Sequence, residues 1–319
     1  MKVAFLVSHD VGRPLRFIPP ECPLVEVTTR TIQGRFLLRP SPALNKLALG
    51  VLARAARLHQ MKICAFIFLS NHYHLLLRPR NAEHLSRFMN YLNGNLAREA
   101  GRLHRWREKF WSRPYRAIPV SYEPEIQVER LKYILEQRCK EGLVSRPKEW
   151  PGASCVSALC GDEPIVGLWY DRTAAYRLGR WGGGVVKLDD FAEQERLELA
   201  ALPCWQGLRV EDIQGRVQEL LDEIVEETAQ RQRATGRRPL GSRAILAQHP
   251  HSRPQRVKRS PAPRFHAASY GIRKMLEAMY WTYLDLRAEA IETIRAGRFP
   301  IRYPEHGIPP PLIPALSQI

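Results

Sequence analysis

Two apolar runs separated by only two residues set the strongest constraint on this chain: Lys62-Ile-Cys-Ala-Phe-Ile-Phe-Leu69, then Ser70-Asn71, then His72-Tyr-His-Leu-Leu-Leu-Arg78. They read as two strands across a tight link, the first apolar almost throughout, as a central strand is, and Pro79 stops the second. The flanks carry a different period. Over residues 42–59, Leu44, Leu47, Ala48, Val51, Leu52 and Ala55 recur at steps of three and four, and over 83–103 Leu85, Phe88, Met89, Leu92 and Leu96 do the same, so both segments are expected to be amphipathic helices. Upstream, residues 23–30 are β-branched and roughly alternating, which suits a strand, with 34–39 as a weaker partner. Downstream, 106–122 has no period and is expected to be loop or a short edge strand. A third helix starts near Pro124, with Ile126, Leu131, Ile134 and Leu135 on its apolar face and Gly142 at its end. This order predicts an α+β fold with helices packed on an antiparallel sheet.

Beyond Trp150-Pro151 the pattern weakens. Gly182-Gly-Gly184 suits a linker, 189–202 and 210–232 read as helices, and from Thr228 to Met275 no acidic residue occurs while arginines accumulate among prolines. That stretch suits a basic arm, either tracking a polyanion or solvated as a tail. A last helix is expected over 270–296, before a proline-rich tail. The predicted organisation is an N-terminal segment (1–22), a first domain (23–155), a helical extension (156–230), the basic arm (231–268) and a terminal helix with its tail (269–319).

Charge narrows the partner. Lys and Arg number 49 against 32 Asp and Glu, a net charge of +17. Residues 1–180 hold 29 basic and 15 acidic side chains, whereas 181–319 hold 20 and 17. An excess concentrated on one half points to nucleic acid, since each cation on a phosphate releases a counterion. Every apolar stretch is interrupted well before the roughly 20 residues of a membrane helix, so no membrane partner is expected and the site of action is expected to be cytoplasmic, near the nucleoid. Six cysteines, Cys22, Cys64, Cys139, Cys155, Cys160 and Cys204, form no Cys-x-x-Cys pair and are expected to be reduced.

Chemistry concentrates at His72-Tyr73-His74. Residues two apart on a strand project to the same face, so the two imidazoles can converge on one divalent ion. The predicted third helix offers Tyr133 and Gln137 one turn apart on one face. Two imidazoles and an amide carbonyl suit Mg²⁺ or Mn²⁺, and a phenol held beside a phosphodiester can attack phosphorus to give a covalent phosphotyrosine. Tyr91, with Asn95 one turn on, is a second candidate nucleophile. Lys109-Phe110-Trp111-Ser112-Arg113-Pro114-Tyr115-Arg116 interleaves cations with aromatic rings, the composition that binds single strands by charge and stacking, and Arg78 and Arg80 follow the histidine strand. The candidate DNA contacts are therefore Arg78, Arg80, Lys109, Trp111, Arg113, Tyr115 and Arg116.

Asn71-His72-Tyr73-His74-Leu75-Leu76-Leu77, followed by Lys132-Tyr133-Ile134, Gly142-Leu143-Val144 and Trp150-Pro151, resembles the IS200-like single-tyrosine transposases, in particular the branch associated with repeated extragenic palindromes. The resemblance covers roughly residues 23–155. It implies a ferredoxin-like core, His72 and His74 as metal ligands of the His-hydrophobe-His motif, Tyr133 as nucleophile, and cleavage and rejoining of single-stranded DNA at hairpin-bearing ends. Gln137 stands where the insertion-sequence members place a metal-ligating glutamine, whereas the palindrome-associated branch often has Asn-Pro there. The leading expectation is thus a metal-dependent transposase, an endonuclease and strand transferase acting in DNA transposition and recombination, with a possible homodimer. The alternative is a domesticated, catalytically inactive DNA-binding regulator on the same fold.

Overall fold

Local signals set the helices before packing does. The Ser41 hydroxyl accepts from the Leu44 N–H at 3.2 Å and Pro42 occupies the first turn, so helix α1 (Pro42–His59) begins where residues 42–59 were expected to turn helical. Asn81 caps α2 (Ala82–Leu103) through the His84 N–H at 2.8 Å. Helix α3 (Pro124–Lys140) also opens on proline, and Gly142, at φ +68°, follows it in the left-handed conformation that closes a helix without Cβ strain. The computed structural model describes residues 5–7, 17–181, 186–255, 263–298, 302–309 and 312–314; the expected Gly182–Gly184 linker lies outside them.

The strands are β1 (Phe5–Val7), β2 (Leu24–Arg30), β3 (Lys62–Leu69), β4 (His72–Arg78) and β5 (Arg116–Val120). The last four form one antiparallel sheet in the order β3-β4-β2-β5. With α1 after β2 and α2 after β4, this is the βαββαβ ferredoxin-like arrangement. Two strand expectations are corrected. Residues 34–39 form no strand: a single 3₁₀ turn (Ile32–Gly34) follows β2, and the Leu38 N–H donates to the Ser70 carbonyl as the chain crosses to α1. Strand β3 ends the sheet instead of lying inside it. Its apolar composition has another cause: Ala153 and Cys155 bond its outer edge at Phe68 and Phe66, and the Ala200 N–H donates to Ile63.

The remainder wraps this core. After α4 (Val156–Leu159), strand β6 (Ile165–Tyr170) leads into α5 (Arg172–Trp181) and pairs antiparallel with β7 (Ala192–Leu197), where a helix over 189–202 was expected. Helix-favouring composition loses there to tertiary pairing: buried Glu195 takes Arg54 at 2.9 Å and Arg57 at 2.6 Å from α1. The hairpin lies so close to α1 that a Cβ on Gly50 would sit 2.1 Å from the Leu168 carbonyl oxygen. Helices α6 (Val210–Thr235), α7 (Ser242–Ala247) and α8 (Tyr270–Arg295) follow, and β8 (Leu312–Pro314) pairs with β1. The basic segment is docked. Leu240 and Gly241 donate to Gly142 and Leu143, Ile245 is fully buried, and the Phe36 N–H donates to Ser252; Arg256, Lys258 and Arg259 lie outside the described residues. All six cysteines are free, and burial pushes the Cys64 thiol up to about 12 and Cys155 to about 11.

Candidate active site

Alternation along β4 sends Tyr73, Leu75 and Leu77 to one face of the sheet and His72, His74 and Leu76 to the other. The Tyr73 hydroxyl donates to Asn93 of α2, so the first face carries the helical layer. On the opposite face the register sets His72 beside Arg30, His74 beside Thr28, and Leu76 beside Glu26; Arg116 of β5 pairs with Thr28 in the same row. Helix α3 covers this second face and brings Tyr133 against His74, ring centroids 5.7 Å apart, while the two imidazoles lie 5.2 Å apart.

Hydrogen bonding decides which nitrogen each imidazole presents. Asn71 donates its amide N–H to the Gly34 carbonyl at 3.1 Å, which turns its Oδ1 toward His72 Nδ1 at 2.6 Å. The carboxylate of Glu26 lies 3.3 Å from His74 Nδ1, with the Thr28 hydroxyl at 3.1 Å. Both Nδ1 atoms thus carry the proton, and both Nε2 lone pairs are free for a cation. Burial, then neighbouring His74 and Arg30, hold the His72 pKa well below its ordinary value, which keeps the ring neutral. Glu26 is itself buried, which opposes its charge, but the His266 and His74 imidazoles beside its carboxylate outweigh this and hold its carboxyl far below the usual carboxylate range.

One turn past Tyr133, Gln137 is 3 % exposed and its Nε2 makes no hydrogen bond. A buried amide nitrogen left without a partner is the observation that fits a ligand, and rotation about the last bond exchanges Nε2 and Oε1. Two imidazoles and one amide make a site of borderline-to-hard character. Among the described residues, no group of three or more His, Cys, Asp or Glu is placed to hold a metal ion. Tyr133 is half-buried, with the Arg130 guanidinium 4.5 Å and the Lys140 ammonium 4.9 Å from its ring centroid, so two cations flank the phenol ring.

The DNA candidates divide into three places. Lys109, Trp111, Arg113 and Tyr115 line a cleft of about 680 Å³ together with Arg87 and Asn93 of α2. Lys109 and Arg113 are exposed; Trp111 is anchored through Nε1 to the Asn93 carbonyl at 2.9 Å, and Tyr115 is buried as a wall of the cleft. Arg116 stands on the histidine face of the edge strand. Arg78 and Arg80 lie at the opposite end of β4, where the Arg78 guanidinium bonds the Ala201 carbonyl at 3.3 Å and Gln206 at 3.2 Å. Tyr91 packs against Trp169 and His59 on the helical side, and its partner Asn95 donates back to the Tyr91 carbonyl, so this pair is remote from the histidines. Residues that the sequence did not single out complete the site: Glu26, Thr28, Arg30, Arg130 and His266. A lone carboxylate inside the apolar strand Leu-Val-Glu-Val and an arginine three residues before Tyr133 are signals that point to Glu26 and Arg130; nothing near His266 does so.

Residues 41–137 match the family model described as "Transposase IS200 like". This stretch, from the cap of α1 to the amide of α3, is similar to IS200-like transposases over less than half of the chain, and it holds His72, His74, Tyr133 and Gln137. Among solved structures, a REP-associated tyrosine transposase bound to a REP hairpin is similar at 17% identity, over 49% of this chain and 89% of that one, with a TM-score of 0.38. A Deinococcus radiodurans R1 chain assigned as a transposase is similar at 18% identity, over 34% of this chain and 86% of that one, with a TM-score of 0.26. No curated protein matches the chain significantly. Among the described residues no helix is long and apolar enough to cross a membrane.

Proposed function

We propose that the protein is a DNA transposase that cuts and rejoins single-stranded DNA through a covalent 5′-phosphotyrosine on Tyr133, with residues 23–155 as the catalytic unit. The observation that supports this reading is the Tyr133 ring packed against His74 with His72 beside it, both imidazoles bonded through Nδ1, and a buried Gln137 Nε2 without a hydrogen bond one turn further along α3. His72, His74 and Gln137 would hold Mg²⁺ or Mn²⁺, and the chemistry a divalent ion supplies when bound is polarisation of the scissile phosphate.

The protein's own groups do the rest. Arg130 and Lys140 draw the phosphodiester to the phenol. As the Tyr133 Oη–P bond forms, the P–O3′ bond breaks; the phenol gives up one proton and the departing 3′ oxygen takes one up, so the step balances and the phosphodiester's free energy is retained. Attack of a 3′ hydroxyl on the phosphotyrosine reverses the step and joins strands. Asn71 and Glu26 keep the imidazoles oriented throughout. The substrate is a hairpin-bearing single strand, as the palindrome-associated resemblance implies, and Arg116 with the cleft of Lys109, Trp111 and Arg113 supplies charge and a stacking surface for the flanking strand.

Tyr133→Phe is the test. On a labelled hairpin-bearing single strand with Mg²⁺ or Mn²⁺, the wild type forms an adduct stable to denaturing gel electrophoresis and the variant binds DNA without forming it. An adduct that persists in the variant refutes the assignment, and binding without an adduct in the wild type favours the regulator.

A further inference from the structure

His266 lies far beyond the family segment, in a stretch whose composition suggested a solvated arm, yet it reaches the histidine face. Its backbone extends the sheet edge: the His266 N–H donates to the Pro119 carbonyl and the Ser121 N–H donates to the His266 carbonyl, each at 2.9 Å, in a parallel bridge beside Val120. Phe265 and Ala267 on either side are buried. The same junction is clamped from the other direction, because Glu123, at the start of α3, accepts from the Ala268 and Ser269 N–H groups at 2.8 and 2.9 Å, immediately before α8. Held at both ends, His266 places Nε2 3.2 Å from Glu26 Oε2, and the other oxygen of that carboxylate faces His74 Nδ1 at 3.3 Å. Arg130 is the remaining neighbour of Glu26, at 3.5 Å.

We propose that His266 is a positioning residue of the active site, delivered by the C-terminal extension: it holds Nε2 3.2 Å from Glu26 Oε2, a polar contact off hydrogen-bond alignment, and so confines the carboxylate that orients His74. The geometry has a direction. With His266 against Oε2, Oε1 is left to accept the His74 Nδ1–H, which leaves Nε2 as the lone pair of a ring that Tyr133 packs against. The catalytic unit accordingly extends past residue 155 to include 263–269 and the start of α8. This inference rests on the proposed role of His74, and outer partners of ligating histidines typically contribute about 10- to 100-fold to activity or metal affinity.

The test uses the full chain with His266→Ala and His266→Gln, the second keeping a polar N–H. Two readouts are taken: the ¹⁵N imidazole spectrum of His74, which reports its tautomer, and the rate of DNA adduct formation. The expected result is a single Nδ1-protonated His74 in the wild type, a tautomer mixture and about a 10-fold slower adduct in His266→Ala, and recovery of most of both in His266→Gln. In a Glu26→Gln background, His266→Ala should change neither further. If His266→Ala does not fold, His266→Phe keeps the bulk and the edge bridge without the polar contact and is read in the same way. An unchanged His74 spectrum in a folded variant that lacks this contact overturns the proposal, even where an adduct still forms. A changed spectrum in a protein that forms no adduct upholds it while refuting the proposed reaction.

Discussion

The two faces of the four-stranded sheet are built from the same strands and have opposite chemistry. Tyr73, Leu75 and Leu77 of β4 and Val25 and Val27 of β2 are fully buried on the face that meets the helical layer. One residue away in each case, His72, His74, Thr28 and Glu26 line the face under α3. A period of two lets one strand serve as core and as site, and it makes register critical, since a slip of one residue exchanges the faces. The face that holds the sheet together is thus chemically inert, and the polar face is ordered by bonds such as those of His72 with Asn71 and His74 with Glu26 and Thr28.

Adjacent substitutions break this comparison most sharply. His74→Ala should lower adduct formation more than about 100-fold per folded molecule, beyond the range for an outer partner, whatever stability it loses with the Glu26 and Thr28 bonds. Leu75→Ala, its neighbour on the other face, should cost about 2–5 kcal/mol in urea unfolding and leave the adduct rate per folded molecule intact. Loss of activity without loss of stability in the second would show that the faces are not separable. Asn71→Ala should slow adduct formation by about 10-fold by freeing the His72 ring. Smaller still, Lys109→Ala and Arg113→Ala should each reduce the slope of log affinity against log salt by about 0.7 for a single strand, leaving adduct formation at saturating DNA unaltered. An unchanged slope removes the cleft from the DNA path.

The weakest effect is on pH. Burial and the neighbours His74 and Arg30 hold His72 well below its ordinary 6.5, and burial with Arg39, His251 and His249 lowers His104 to about 4. The unfolded chain therefore binds more protons below 6.5, so stability is fully present above that pH and declines as pH falls through it toward the folded values. A lower urea midpoint at pH 5 than at pH 7.5, with the difference reduced in His72→Gln, checks the sign.

Periodicity made the sheet and the elements of the candidate site legible: α1 spans the 42–59 stripe, β3 and β4 match their apolar runs, and Tyr133 and Gln137 lie one turn apart on α3. Composition misled where tertiary partners decide. The Glu-rich segment at 192–197 is a strand because β6 and the arginines of α1 hold it, and the acid-free stretch after Thr235 is docked through backbone bonds that composition does not encode. The carboxylate network was hidden for a related reason: Glu26 and His266 meet only because residue 266 adds to the β5 edge. The paired histidines are two residues apart and needed no such closure.

Trypsin cuts after Lys132 and Arg138, which isolates Tyr133 in the peptide spanning residues 133–138. The full-length protein is incubated with a hairpin-bearing single strand and Mg²⁺ or Mn²⁺, digested with nuclease and trypsin, and analysed by mass spectrometry. The expected result is a nucleotide phosphate on that peptide, located on its only tyrosine; a nucleotide on any other peptide, or none from protein that has bound the DNA, would contradict Tyr133 as the nucleophile.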